Sequence, residues 1–160
     1  MSNIFRGQEG APYHLSVGAV VVNDEGLIAC RHHQHDEHNR PVDAFLLMRE
    51  TIEPGETIEN AVARGLKEEF GLVAKITQFL GPVVSHYGYK NFTVEKTTLF
   101  FLCRFTKLVE LKENDFESSG NLEWHDLDLL IEKQHAQAKH LSRDDIDDSL
   151  ALKRAKEILG

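Results

Sequence analysis

The segment from Glu50 to Leu72, ETIEPGETIENAVARGLKEEFGL, constrains the fold more than any other part of the chain. Glu53-Pro54-Gly55 is a turn sequence. Thr57 follows it and can cap the free N–H groups of a helix that begins there. Gly71 stands where such a helix is expected to end. The segment therefore predicts a turn followed by one helix.

One face of this helix is apolar but also carries carboxylates. Projected at about 100° per residue, five apolar side chains share an arc that should face the core: Ile58, Ala61, Val62, Leu66 and Phe70. Glu69 falls inside this arc and Glu68 lies on its edge, where an uncompensated carboxylate is costly. A divalent cation with oxygen ligands, such as Mg²⁺, would compensate it. The alternative is that Glu69, in the last turn, bends out to solvent.

The residue types of this segment resemble the Nudix box, G-x5-E-x7-R-E-U-x-E-E-x-G-U, where U is a bulky aliphatic residue. Such a long spaced pattern is far more specific than a short glycine motif. The matching residues are Glu56, Arg64, Leu66, Glu68, Glu69, Gly71 and Leu72. Two positions depart, because Glu50 replaces the opening glycine and Gly65 replaces the glutamate after the arginine. The resemblance implies the α/β class, with a Nudix α/β/α sandwich and a mixed β-sheet.

Strand patterns on both sides of the helix agree with this fold. Before the helix, strands are predicted at Leu15–Val22, Leu27–Arg31 and Ala44–Met48. After it they are predicted at Ala74–Leu80, Val83–Tyr89, Val94–Phe105 and Leu122–Trp124, with Gly81-Pro82 ending the first of these. Further helices are predicted from Asp126 to Glu132 and from about Ser142 to Leu159. The second should pack on the sheet through Ile146, Leu150, Ala155 and Ile158. We expect a single Nudix domain over residues 1–160.

The composition limits which partners the protein can bind and in which compartment it is expected. The formal net charge of −8 argues against general binding of nucleic-acid polymers. The N-terminus lacks the apolar core of a signal peptide, and no apolar run is long enough to span a membrane. Cys30 and Cys103, each inside an apolar run, fit a reduced cytoplasmic setting without a disulfide framework. The oligomeric state stays open, with a homodimer as one option.

The resemblance also implies a reaction. Nudix enzymes hydrolyse a nucleoside diphosphate linked to another group, here a small nucleotide or nucleotide sugar, with the help of a divalent metal ion. Glu68 and Glu69 are the implied catalytic residues and metal ligands, together with the backbone carbonyl of Arg49 just before the box. Mg²⁺ is the expected cofactor, with Mn²⁺ as an alternative. Glu56 and Arg64 are expected to pair and brace the loop against the helix.

Gly65 lacks the carboxylate that serves this family as a metal ligand or base. It lies four residues before Glu69 and shares its helix face. The resemblance implies that the acidic loop before the tryptophan strand donates one more carboxylate to the metal cluster, and Glu117 is the candidate, with Glu113 and Glu123 behind it. The nearest candidates for a replacement base are Glu117 and Glu50. Two functions stay open: a hydrolase with a weakened site, or a Nudix-fold sensor that binds a nucleotide without cleaving it. Gly65→Glu should either restore the site or, if the space is closed, destabilise the protein.

Two polar groups of residues are candidates for substrate binding. His86, Tyr87 and Tyr89 can stack on a base and hydrogen-bond it, although ordinary sheet packing is the alternative. Arg31 opens the histidine-rich segment RHHQHDEHNRPVD and is the predicted basic contact. Its histidines match no closed zinc pattern, which leaves a solvated loop, a metal site or a substrate-facing role.

Overall fold

The structure is a computed structural model that describes residues 3–111 and 120–160. Within these residues the chain forms one mixed sheet: β1 Arg6–Gln8, β2 Ala11–Val22, β3 Ile28–His35, β4 Pro41–Leu46, β5 Met48–Thr51, β6 Leu72–Tyr89, β7 Phe92–Leu108 and β8 Asn121–His125. The helices are α1 Ile58–Gly65, which continues as a π-helical turn Leu66–Phe70, then α2 Leu127–Leu141 and α3 Ser149–Leu159. A 3-10 turn at Asp144–Ile146 precedes α3.

Strand β2 is the centre of the architecture. It pairs in parallel with β7 and antiparallel with β5, in a sheet whose main order is β4-β3-β2-β7-β6. Alternate side chains of β2 enter two cores, as expected for a strand covered on both faces. Val17, Ala19 and Val21 pack with α1 and its π turn, whereas Val20 and Val22 pack with α2 and α3. The predicted α/β/α sandwich with a mixed sheet is therefore confirmed.

Several predicted strands are longer than their local signals indicated. The histidine-rich segment is a strand as far as His35, because β3 pairs with β4 through His32 and His33. The prediction of a loop from Arg31 onward was therefore wrong. Gly81-Pro82 does not end a strand either, since β6 stays paired with β7 across a register shift between Phe79 and Gly81. Pro82 is tolerated there because β6 lies at the edge of the sheet.

The first two helices begin where their capping residues predict, since Asp126 caps α2 by accepting from Asp128 N and Leu129 N, but the end of α2 and the start of α3 differ from the prediction. Thr57 caps α1, where its side chain accepts a hydrogen bond from Asn60 N, as predicted. The predicted helix after Asp126 extends to Leu141. The helix predicted from Ser142 begins at Ser149 instead, because Ser142 adopts a left-handed φ of 53° that ends α2.

Three residues assigned to apolar faces are instead exposed. Ile58 is 40% exposed, Leu150 45% and Ile158 41%. In α3 the buried stripe runs through Ala151, Leu152 and Ala155, so Leu150 and Ile158 fall outside it. Among residues 3–111 and 120–160, no helix is both long enough and apolar enough to cross a membrane.

Candidate active site

A cavity of about 400 Å³ opens between the π turn, β5 and β7, and charged side chains line it. Its acidic lining residues are Glu50, Glu53, Glu68 and Glu69. Its basic lining residues are Arg6, Arg31, Arg49, Arg64 and Lys96. The volume lies within the range of small-molecule sites. Carboxylates and cations thus face one space of the size of a small ligand.

Glu68 and Glu69 lie in the π turn, which helical periodicity did not predict. A π turn holds more residues than an α turn, so it shifts the side chains that follow it. Here Glu68 is exposed and Glu69 partly buried, while Phe70 stays in the core. Gly71 ends the turn with a φ of 64° and donates its N–H to Leu66 O. The turn therefore presents both carboxylates at the cavity without removing the apolar residues from the core.

Arg64 joins α1 to the loop and strand before it. Its Nε lies 2.8 Å from Glu56 Oε2 and its Nη2 2.9 Å from Glu56 Oε1, a bidentate ion pair. Nη2 also donates to the carbonyl of Thr51 at 2.9 Å. The hydrogen bond from Arg64 holds the pKa of Glu56 below its usual value, and the same bond raises the pKa of Arg64. The predicted pairing of Glu56 with Arg64 is thus present.

The remaining nitrogen of Arg64 gathers two further carboxylates. Its Nη1 lies 3.3 Å from Glu50 Oε1 and 3.5 Å from Glu68 Oε2. Glu50 comes from β5 and Glu68 from the π turn, so carboxylates of two elements converge on one guanidinium group. Their oxygen atoms are the type of donor that a hard divalent cation prefers.

The basic wall is built from the buried side chain of Arg31 and the partly buried side chains of Arg49 and Lys96, which belong to three strands. Arg31, only 5% exposed, donates from Nε and Nη2 to the carbonyl of Glu69 at 3.2 and 2.9 Å. Arg49 lies with Nε 3.5 Å from Asp148 Oδ2, and its Nη1 donates to the carbonyl of Asp145. Burial and then the nearby Arg49 lower the pKa of Lys96 to about 7.

His14 extends the cavity wall toward the aromatic residues of β6. Its Nε2 lies 2.8 Å from Thr51 Oγ1 and its Nδ1 2.7 Å from Tyr87 Oη. Burial, followed by the charge of Lys96, lowers the pKa of His14 to about 3. His14 is therefore neutral at physiological pH.

The structure brings together some of the predicted site residues and separates others. Those that line the cavity are Arg31, Arg49, Arg64, Glu68 and Glu69, with Glu56 directly behind Arg64. Tyr87 and Tyr89 line a neighbouring cavity of about 550 Å³ that shares Arg6 with the first. His86 is half-exposed, and its N–H donates to Asp144 Oδ1 at 3.2 Å. Glu117 lies outside the described residues. The roles assigned to these residues stay predictions.

His14 and Lys96 were missed by sequence reasoning. His14 stands in a strand that is otherwise largely apolar, and an inward-facing polar residue in such a strand is the signal that could have found it. Lys96 stands among the polar residues in the first half of β7, where the sequence gives no such signal. In the histidine-rich segment, His33 lines the cavity. His32 instead bridges Asp43 at 2.6 Å and Glu123 at 2.9 Å.

The cavity's donor set fits a divalent cation by its chemistry. Within residues 3–111 and 120–160, no three His, Cys, Asp or Glu side chains are grouped closely enough to hold a metal ion. Even so, Glu50 and Glu68 converge on Arg64 Nη1, and Glu69 lines the same wall. All three offer hard oxygen donors, which suit Mg²⁺ or Mn²⁺.

The sandwich and its carboxylate-lined cavity define the class of protein. Two core layers enclose one mixed sheet, and the cavity lies where the segment from Glu50 to Leu72 crosses from strand to helix. The sequence profile of the NUDIX domain matches residues 12–144. The chain therefore belongs to the NUDIX domain family. No curated protein matches it.

Solved structures share this fold at low sequence identity. A NUDIX hydrolase from Nitrosomonas europaea is similar with a TM-score of 0.63 and 17% identity, covering 89% of this chain and 88% of that chain. The MutT protein from Methanosarcina mazei Go1 has a TM-score of 0.53 and 19% identity, with coverage of 76% and 82%. A MutT NUDIX hydrolase from Burkholderia pseudomallei has a TM-score of 0.54 and 22% identity, with coverage of 71% and 83%. At these identities the likeness shows the fold alone.

Proposed function

We propose that this chain is a Nudix hydrolase that cleaves the pyrophosphate linkage of a nucleoside diphosphate derivative with a divalent metal ion. The observation that carries the proposal is one cavity, in a NUDIX-family chain, where box carboxylates face a wall of cations. A pyrophosphate bridge needs both kinds of group. Basic side chains neutralise its negative charge, and carboxylates hold a divalent cation beside it. A nucleotide or nucleotide sugar is the proposed substrate.

The proposed roles of the residues follow from their places in the cavity. Glu68, Glu69 and the backbone carbonyl of Arg49 would hold Mg²⁺, or Mn²⁺ in its place. A metal ion bound there would neutralise phosphate charge and acidify the attacking water. The water oxygen forms a bond to one phosphorus, and the bridging oxygen leaves with its electron pair on the other phosphate. A carboxylate base takes the water's proton.

The basic wall orients the phosphates for this attack. Lys96 and the Arg49 side chain lie in the same cavity as the carboxylates. A phosphate beside Lys96 favours its charged form and so opposes the lowering of its pKa by burial. Glu56 and Arg64 keep the loop and the helix in register, which fixes the direction of the carboxylates.

A substrate panel tests the proposal. The panel contains ADP-ribose, dinucleoside polyphosphates, NADH, sugar nucleotides and nucleoside triphosphates, each with Mg²⁺ and with a chelator. We expect phosphomonoester release from at least one member, dependent on the metal. Tight nucleotide binding without release from any member would contradict the hydrolase and support the sensor, which the glycine at position 65 favours.

Glu117 is the proposed general base, and Glu117→Gln should lower kcat at least about 100-fold because a general base contributes that much or more. Steady-state kinetics on the best panel substrate measures the effect. Glu59→Gln, at an exposed carboxylate in the first turn of α1, is the charge-matched control. A loss of about threefold or less in Glu117→Gln would remove Glu117 from the mechanism.

The cysteines bear on the location of the protein. Cys30 and Cys103 are free and buried, which favours a reducing compartment and hence the cytoplasm. A homodimer stays a prediction.

A further inference from the structure

Glu50 and Gly65 meet where α1 packs against β5. A Cβ atom built on Gly65 would lie 2.8 Å from Glu50 Cβ and 2.6 Å from Met48 Sδ. Contacts this short do not persist, so a neighbouring atom would have to move. The Met48 sulfur belongs to a flexible side chain that can adapt. Glu50 Cβ is fixed to a strand that pairs with β2, so full side chains at positions 50 and 65 exclude each other.

The side chain of Glu50 lies in the cavity wall. It is 14% exposed, and its Oε1 and Glu68 Oε2 both lie within 3.5 Å of Arg64 Nη1. Arg64 already holds Glu56 in a bidentate pair, so its charge is neutralised without Glu50. The Glu50 carboxylate is therefore not needed to neutralise Arg64. Burying most of such a carboxylate is costly unless a further cation compensates its charge.

The two departures from the box are therefore reciprocal. A glycine stands on the helix where a carboxylate is expected, and a carboxylate stands on the facing strand where a glycine is expected. We propose that Glu50 is a ligand of the divalent cation, supplied from β5 in place of the missing helix carboxylate. Gly65, which has no side chain, leaves the space that the Glu50 side chain requires. This inference rests on the proposed function and adds a residue to its site.

Neutralising Glu50 without changing its shape is the first test. Glu50→Gln should weaken Mn²⁺ binding at least about tenfold, since even residues that only support metal ligands cost that much. Titration followed by the electron paramagnetic resonance of free Mn²⁺ measures it. Glu59→Gln, an exposed carboxylate in the first turn of α1, is the matched control and should leave the affinity unchanged. Equal affinity in Glu50→Gln and wild type would overturn the inference.

Exchanging the two residues is the second test, and it has a readout that needs no metal. Gly65→Glu alone should lower the metal-free Tm by roughly 3–10 °C because the added side chain overpacks the contact with β5. Glu50→Gly alone should lose Mn²⁺ affinity. In the double variant Glu50→Gly/Gly65→Glu, the helix carboxylate gains its space. We expect most of the Tm loss of Gly65→Glu and of the affinity loss of Glu50→Gly to be recovered.

The controls separate the failure of this inference from the failure of the proposed function. Gly65→Ala adds the Cβ without a charge and should lower the Tm in the wild-type background but less in Glu50→Gly. Additive Tm changes in the double variants would contradict the claim that positions 50 and 65 exclude each other. No recovery of Mn²⁺ affinity would contradict the claim that one carboxylate can replace the other. If wild type cleaves panel substrates and Glu50→Gln binds Mn²⁺ equally well, this inference alone fails. If wild type cleaves none, the proposed function fails, while the metal-free Tm cycle still decides whether positions 50 and 65 exclude each other.

Discussion

Glu69→Gln is expected to lower kcat on the best substrate at least about 100-fold, more than the loss usual for residues that only support metal ligands. Glu69 is partly buried at the cavity, and Arg31 holds its backbone carbonyl in place. An isosteric amide therefore removes the charge while the π turn keeps its position. Steady-state kinetics with a Mg²⁺ titration measures the effect.

Two comparisons make this result specific to Glu69. Glu69→Gln should still fold without metal, because the substitution alters neither the core nor the hydrogen bonds of the Glu69 carbonyl, although it removes the attraction between Glu69 and Lys96. Glu68→Gln should cost less, since the Glu68 side chain is 55% exposed and more readily replaced by water. Equal Mg²⁺ affinity in wild type and Glu69→Gln would exclude Glu69 from the metal site.

Arg64→Ala is expected to reduce the free energy of unfolding by about 2 kcal/mol, in the range for hydrogen bonds to charged groups. The side chains of Arg64 and Glu56 are 21% and 13% exposed, so solvent replaces the lost partner only in part. The carbonyl of Thr51 also loses its donor. Urea denaturation without metal measures the loss.

A substitution at a neighbouring residue and a substitution of Glu56, the partner of Arg64, serve as controls. Lys67→Ala, at an exposed residue of the π turn that follows α1, should change stability by less than about 0.5 kcal/mol. Glu56→Gln and Arg64→Ala together should cost less than the sum of the single changes, because they share one interaction. A fully additive pair would show that the bidentate contact contributes little.

The pH dependence of the same pair has a definite sign. The hydrogen bond from Arg64 depresses the folded-state pKa of Glu56, so its stabilisation is fully present above the unfolded-state pKa. It is lost as the pH falls through the folded-state pKa. The stability difference between wild type and Glu56→Gln should therefore be largest near neutral pH and shrink in acid. A difference that grows in acid would contradict the assignment.

Local signals in the sequence were sufficient for the two ends of the first helical segment and for the pairing of Glu56 with Arg64. Thr57 and Gly71 act through backbone groups within one turn of themselves, so their roles could be predicted from spacing. The pairing of Glu56 with Arg64 could be predicted from the box pattern. The order of the elements, with strands before and after one helix and a further helix at the end, likewise predicted a mixed sheet with helices on both faces.

The tertiary structure decided the features that depend on neighbours distant in sequence. The π turn at Leu66–Phe70 keeps Leu66 and Phe70 in the core while Glu68 and Glu69 reach the cavity, which helical periodicity alone cannot show. Lys96 faces the site only because β7 lies beside β2.

The closure of α1 onto β5 is the clearest case. In the sequence, Gly65 stands where the box has a glutamate, and Glu50 stands where the box has a glycine. Because the two backbones approach closely, positions 50 and 65 form one contact. A side chain at one of these positions requires a glycine at the other. The sequence thus determined which residue types stand in the box, and packing between a strand and a helix decided which of them can share the space.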